Sequence, residues 1–156
     1  MPDPGLSAKG FLQCEEFSLA FRPQAQYITH ILSCPMKRTL QTACLAFAPV
    51  LARGCKVIAL PELQNLDKGP SGRGLDPAKL VASPEFKDKV RLEYVSDDWD
   101  LKEQGRWSPD NLEWRIDHMR GFLRGLGAHT WNMRAEVVVV SHGSFLREFV
   151  KDGKSL

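Results

Sequence analysis

Four consecutive valines, Val137 to Val140, run directly into Ser141-His142-Gly143. No other stretch limits the possible folds so strongly. A β-branched run that is apolar on both faces reads as a strand buried in the middle of a parallel sheet, and it is too short to cross a bilayer. It delivers an imidazole to the carboxyl end of that strand, just before a helix expected from about Phe145 to Val150. In open α/β sheets ligands bind at such strand ends. Gly143 lets backbone approach a ligand closely, and the amides of Ser144 and Phe145 offer a helix N-terminus suited to an anion. The alternative is a buried histidine that merely ends a strand.

The chain ahead of this run alternates helix and strand. Ser7 is a candidate cap for a helix to about Phe21, ended by Arg22-Pro23. Tyr27 to Ser33 reads as a strand, with His30 inside it as a structural residue. Pro35 then opens a helix from about Met36 to Ala52, with Leu40, Ala43, Cys44, Phe47 and Leu51 on its buried face. Cys55 to Leu60 is the next strand, so the order is β-α-β and the pairing is expected to be parallel.

Two charged residues stand out on this frame. Arg38 lies in the first turn of the second helix, where the helix dipole disfavours a cation. Either an anionic ligand gathers both, or Arg38 is an exposed arginine paired with a carboxylate. Glu62 leaves the carboxyl end of the Cys55–Leu60 strand. It is either an acid for a leaving group or a solvated loop carboxylate.

Beyond Glu62 the spacing predicts a Gly- and Pro-rich loop over Leu66–Leu75, a short helix over Pro77–Val81 and a half-exposed edge strand over Val90–Val95. A second loop, Asp97–Pro109, is expected to be anchored by Trp99 and Trp107. The longest helix runs from Asp110 to about Leu126, capped by Gly127, with Arg115, Asp117, Arg120 and Arg124 on a solvated face. A loop through Trp131 leads to the valines.

The length, 156 residues, suits one domain. A net charge of +2 without a Lys/Arg-dense block gives no case for nucleic acid, and no run is long enough to span a membrane. Cys14, Cys34, Cys44 and Cys55 lack paired spacing and read as reduced thiols of a cytoplasmic protein, not as metal ligands. No G-x-S-x-G elbow is present, and the Gly-rich loop lacks the strand–helix context of a dinucleotide site.

Three segments, S-C-P-M-K-R-T-L-Q-T-A (Ser33 to Ala43), L-P-E-L-Q-N (Leu60 to Asn65) and V-V-V-V-S-H-G-S-F-L (Val137 to Leu146), resemble the histidine phosphatase superfamily in order and spacing. Within it they are most similar to fungal phosphoglycerate-mutase-like proteins. P-D-P-G-L-S-A-K-G (Pro2 to Gly10) resembles the family's D-P-x-L-T-x-x-G segment. The resemblance implies a three-layer α/β/α sandwich with a mostly parallel sheet. It implies phosphoryl transfer from a small phosphorylated substrate through a phosphohistidine, with no cofactor or metal. By motif, Arg38 corresponds to the second phosphate-binding arginine and His142 to the second histidine.

Two departures accompany the resemblance. The family's nucleophile sits in an R-H-G motif on a strand ahead of the D-P-x-L-T segment, and no R-H-G or R-H-A occurs in this sequence. That first strand is therefore expected to be missing from between the Tyr27–Ser33 and Ala135–Ser141 strands. The family's acid position holds Asn65, with Glu62 one short turn earlier as the candidate substitute. The chain resembles a phosphoglycerate-mutase-like domain truncated at both ends. The expectation is a single, incomplete domain, acting as an impaired phosphatase or as a pseudoenzyme that binds a phosphorylated ligand or a protein partner.

Overall fold

Capping and proline placement decide where the first helices begin and end. The structure, a computed structural model, describes residues 2–129 and 134–151. The expected loop through Trp131 and the end of the last helix beyond residue 151 lie outside them. Ser7 Oγ accepts from the Gly10 amide at 3.2 Å and starts α1, Ala8–Ala25. Pro23 does not end this helix as the sequence suggests. It lies in the last turn, where its missing N–H removes one helical bond and the chain continues to Ala25. Tyr27 and Ile28 then turn back on α1 through amide bonds to Gln24 and Ala25, so strand β1 is only His30–Ser33.

The helix expected over 36–52 is split. α2 covers Lys37–Ala46, Phe47 leaves helical geometry, and α3 covers Ala48–Leu51. Pro49 has no N–H for the Leu45 carbonyl, which accounts for the break. Strand β2 is Val57–Ala59, and α4, Pro77–Ala82, is capped by Asp76 through the Ala78 amide at 2.7 Å. Strand β3 shrinks to Val90–Arg91. α5, Leu112–His129, follows a single 3₁₀ turn at Pro109–Asn111 and runs past Gly127, which therefore caps nothing. The valines form β4, Val137–Val140, and α6 is Gly143–Lys151. Among the described residues no helix is long and apolar enough to cross a membrane.

The four strands form one parallel sheet in the order β3-β2-β1-β4, flanked by the helices. Ile31, Leu32, Leu40, Val50, Val57, Leu63 and Phe145 build the core, each fully buried. Two expectations change here. The Tyr27–Ser33 and Ala135–Ser141 segments pair directly, with His30 opposite Val137 and Ser33 opposite Val140. No further strand fits between them. The valine strand is not central either: its residues are only half-buried, and its outer edge is open among the described residues. Two clefts flank that edge. One, of about 430 Å³, lies toward α1 and α2 between Leu6, Phe17, Phe47 and Val140; the other, of about 440 Å³, lies toward α5 between Leu123, Val137 and Phe149.

Candidate active site

Because all strands are parallel, their carboxyl ends share one rim. β1 delivers Cys34 to it, β4 delivers Ser141 and His142, and β2 delivers Leu60, Pro61 and Glu62. The chain leaves β1 toward β2 on one side, while β4 lies on the other, so the crevice between Cys34 and Ser141 is where ligands bind in such sheets. Ser141 Oγ donates to the Leu63 carbonyl at 2.6 Å and ties the end of β4 to the turn that follows β2.

The start of α2 has no cap of its own, since Met36 makes no side-chain bond. Asp3 supplies it from a distance in sequence. Its carboxylate accepts from the Lys37 amide at 2.8 Å and from the Leu75 amide at 3.1 Å. Burial pushes the Asp3 pKa up against those bonds and the nearby Arg38 and Lys37 charges. The residue also carries a left-handed φ of 46°. A strained backbone and a buried carboxylate are held because they place the first turn of α2, and with it Arg38.

Arg38 and His142 meet at the rim. Arg38 Nη2 lies 3.4 Å from His142 Nδ1, and Nη1 donates to the Ser71 carbonyl at 3.0 Å. Arginine can only donate, so Nδ1 accepts and the imidazole hydrogen sits on Nε2. Nε2 faces Cys34 Sγ at 3.3 Å. Two further cations stand behind them. Lys102, 1% exposed, donates Nζ to Asn65 Oδ1, to the Asp67 carbonyl at 2.9 Å and to the Gly72 carbonyl at 2.7 Å. Arg115, fully buried, donates to the carbonyls of Glu62 and Gln64 and lies over the Phe145 ring at 5.1 Å. Its Nη1 has no hydrogen-bond partner.

Electrostatics follow from this crowding. Burial, then the Arg38, Lys102 and Arg115 charges, lower the His142 pKa to about 3. Burial likewise lowers Lys102 to about 8 and Arg115 to about 10, and raises the Cys34 thiol to about 11. The His142 shift makes a stability prediction. The unfolded imidazole titrates at its ordinary 6.5. Below 6.5, and down to about 3, the unfolded chain binds a proton that the folded chain refuses, so stability falls as pH falls through that window. The loss is about 2 kcal/mol by pH 5. Urea unfolding at pH 7 and pH 5 measures it, and His142→Gln should lose less by that amount. Equal losses in the two proteins would rule the depressed imidazole out.

The expected site residues are thus placed unequally. Arg38 and His142 converge. Glu62 is 8% exposed, so it is not a solvated loop residue; its carboxylate faces His118 of α5 at 3.4 Å and makes no hydrogen bond to Arg38, His142 or Lys102. His30 sits at the opposite end of β1 from this rim and contacts Thr29 Oγ1 at 2.9 Å. Arg115 was assigned to a solvated face and is buried. Its spacing held the signal: 115 falls between Leu112, Ile116 and Met119 on the apolar stripe. Lys102 has no such signature, since only the folded loops bring Asn65, Asp67 and Gly72 to it. Among the described residues no three His, Cys, Asp or Glu side chains gather as metal ligands would.

The family model described as histidine phosphatase superfamily (branch 1) matches residues 1–153. The crystal structure of the ecdysone phosphate phosphatase, EPPase, from Bombix mori in complex with tungstate has the same fold, with a TM-score of 0.64 and 17% sequence identity. That match covers 95% of this chain but 56% of the other, so the chain spans little more than half the length of that protein. No curated protein matches the sequence.

Proposed function

The chain belongs to the histidine phosphatase superfamily, and from that premise we propose that residues 1–156 act as a single phosphatase-type domain whose Arg38–His142 corner binds the phosphoryl group of a small phosphomonoester. The observation that carries this reading is the way the cations are partnered. The hydrogen bonds of Arg38, Lys102 and Arg115 described above go to carbonyl oxygens, an amide oxygen and a neutral imidazole, and Arg115 Nη1 is buried with none. The carboxylates of Asp3, Asp67 and Glu62 offset part of this positive charge through space, and an arriving anion adds the direct charge-assisted bonds that neutral oxygens do not. A phosphoryl group suits the Arg38 guanidinium fork, and the imidazole gains a proton as the anion's charge reaches it.

In this reading Arg38 holds the non-bridging oxygens and His142 answers the charge that spreads over them in the transition state. The nucleophile is the family's R-H-G histidine, which these 156 residues do not contain. The open edge of β4, between its two clefts, is where a strand bearing it would pair and end at the same rim. The leaving group takes its proton from Glu62, after its side chain turns away from His118, or from water. Asn65 is an amide and has no proton to give. A second reading, binding without turnover, is favoured by the rim itself, where both His142 nitrogens are engaged and burial raises the Cys34 thiol to about 11. Four free thiols, as a reducing compartment keeps them, support a cytoplasmic location.

Sulfate tests the binding claim, because its charge does not change between pH 4 and 8. Bound sulfate raises the His142 pKa from about 3, so its affinity strengthens as pH falls below the pKa of the complex, by up to about tenfold per unit. Calorimetry should show proton uptake on binding. Arg38→Ala should weaken sulfate by roughly a hundredfold, the loss expected for a charge-assisted fork. A pH-independent affinity, or one indifferent to Arg38→Ala, would sink the proposal. Sulfate binding with no ester turnover, even after a strand ending in Arg-His-Gly is supplied, selects the second reading.

A further inference from the structure

A second polar cleft lies away from the Arg38–His142 corner. It has a volume of about 130 Å³ and is lined by Leu60, Glu62, Tyr94, His118, Met119 and Phe122. Glu62 is 8% exposed, and its Oε1 faces the half-exposed His118 Nε2 at 3.4 Å, but Oε2 is buried with no hydrogen-bond partner. Tyr94 and Phe122 meet edge to face at 5.8 Å on one wall, and Trp114 stacks on His118 at 5.1 Å beside the mouth. A buried carboxylate oxygen is not left without a donor at no cost. Arg115 offsets part of the charge from behind, yet its hydrogens go to the carbonyls of Glu62 and Gln64 and not to this carboxylate.

We propose that this cleft binds a small organic ammonium ion, with the Glu62 carboxylate as its counter-charge and the Tyr94 and Phe122 rings as its walls. The chemistry selects this class. An ammonium group brings a full positive charge to a carboxylate whose Oε2 meets no donor, as no neutral ligand does. Aromatic rings attract a cation, while Leu60 and Met119 take up its alkyl carbons. A divalent metal is poorly served, because Glu62 and His118 are two ligands where zinc takes four. The volume admits an ammonium with about three or four carbons, at roughly 30 Å³ for each water-sized group. The inference takes Glu62 where it stands, facing His118, and does not rest on the anion site.

Proton NMR with n-propylammonium chloride as the probe tests it on the intact chain. The Tyr94 and His118 ring signals should shift and saturate in the millimolar range, and propan-1-ol, of similar shape but neutral, should shift them far less. Glu62→Gln should weaken the amine by roughly tenfold or more. Tyr94 is 49% exposed, so Tyr94→Ala keeps the fold and should weaken binding several-fold even where Glu62→Gln does not fold. Unmoved ring signals, equal shifts with amine and alcohol, or an affinity untouched by Tyr94→Ala would each overturn the proposal. The sulfate titration reads the other site separately, so failure here leaves the phosphoryl reading standing.

Discussion

Residues 1–156 alone should hydrolyse p-nitrophenyl phosphate no faster than their His142→Ala variant, and fusing a strand that ends in Arg-His-Gly ahead of Pro2 should raise the rate by about a millionfold. The physical reason lies in the His142 ring. A depressed pKa leaves the imidazole neutral at pH 7, which would ordinarily suit a nucleophile. Its lone pair, however, is on Nδ1 and faces Arg38 Nη2, while the Nε2 hydrogen faces Cys34 Sγ. Neither nitrogen is free to attack phosphorus, so this imidazole is expected to form no bond to it. Cys34 does not replace it, since burial raises its thiol to about 11 and few thiolates exist at neutral pH. An added strand has a place to pair: the outer edge of β4, unpaired among the described residues, with apolar clefts to receive its side chains. Turnover by residues 1–156 that disappears in His142→Ala would show that this imidazole does attack. An inert fusion that binds sulfate normally would select binding without turnover.

Trp99→Ala should cost about 3–5 kcal/mol in urea unfolding and weaken sulfate binding as well, although Trp99 does not touch the anion corner. The indole is 1% exposed, donates Nε1 to the Leu75 carbonyl at 3.1 Å, and its own carbonyl accepts from Gln64 at 2.9 Å. Its ring lies so close to Gly74 that a Cβ there would fall 1.9 Å from a ring carbon. The indole therefore clamps the loop that carries Ser71, whose carbonyl holds Arg38. Truncating it leaves a cavity under that loop and releases the guanidinium. Gly74→Ala should cause the same double loss from the opposite side, by forcing the ring out. A stability change below about 1 kcal/mol in both variants, or an unchanged sulfate affinity, would show that the loop holds itself in place.

The strands and the Arg38–His142 corner were legible because each depended on local signals. A four-valine run, a proline-opened helix and an arginine against the dipole are properties of neighbouring residues. Arg38 and His142, 104 residues apart, meet as the motifs implied. The elements that were misjudged depended on partners instead. The valine strand resembled a central strand because its residues are apolar on both faces, yet among the described residues it pairs with β1 alone. Arg115 looked solvated because charge usually marks a surface, and it is buried because the carbonyls of Glu62 and Gln64 receive it.

By itself, then, the sequence determined the parallel α/β class, the rim where β1 and β4 end, and the two side chains that meet there. Periodicity and strand-end position are written in residues close to one another. Only the tertiary structure decided that Lys102 and Arg115 stand behind that pair, that Asp3 caps the helix bearing Arg38, and that Glu62 turns to His118. Those placements join loops and helices remote in sequence, and burial changes what each charge does once the fold has removed water from it.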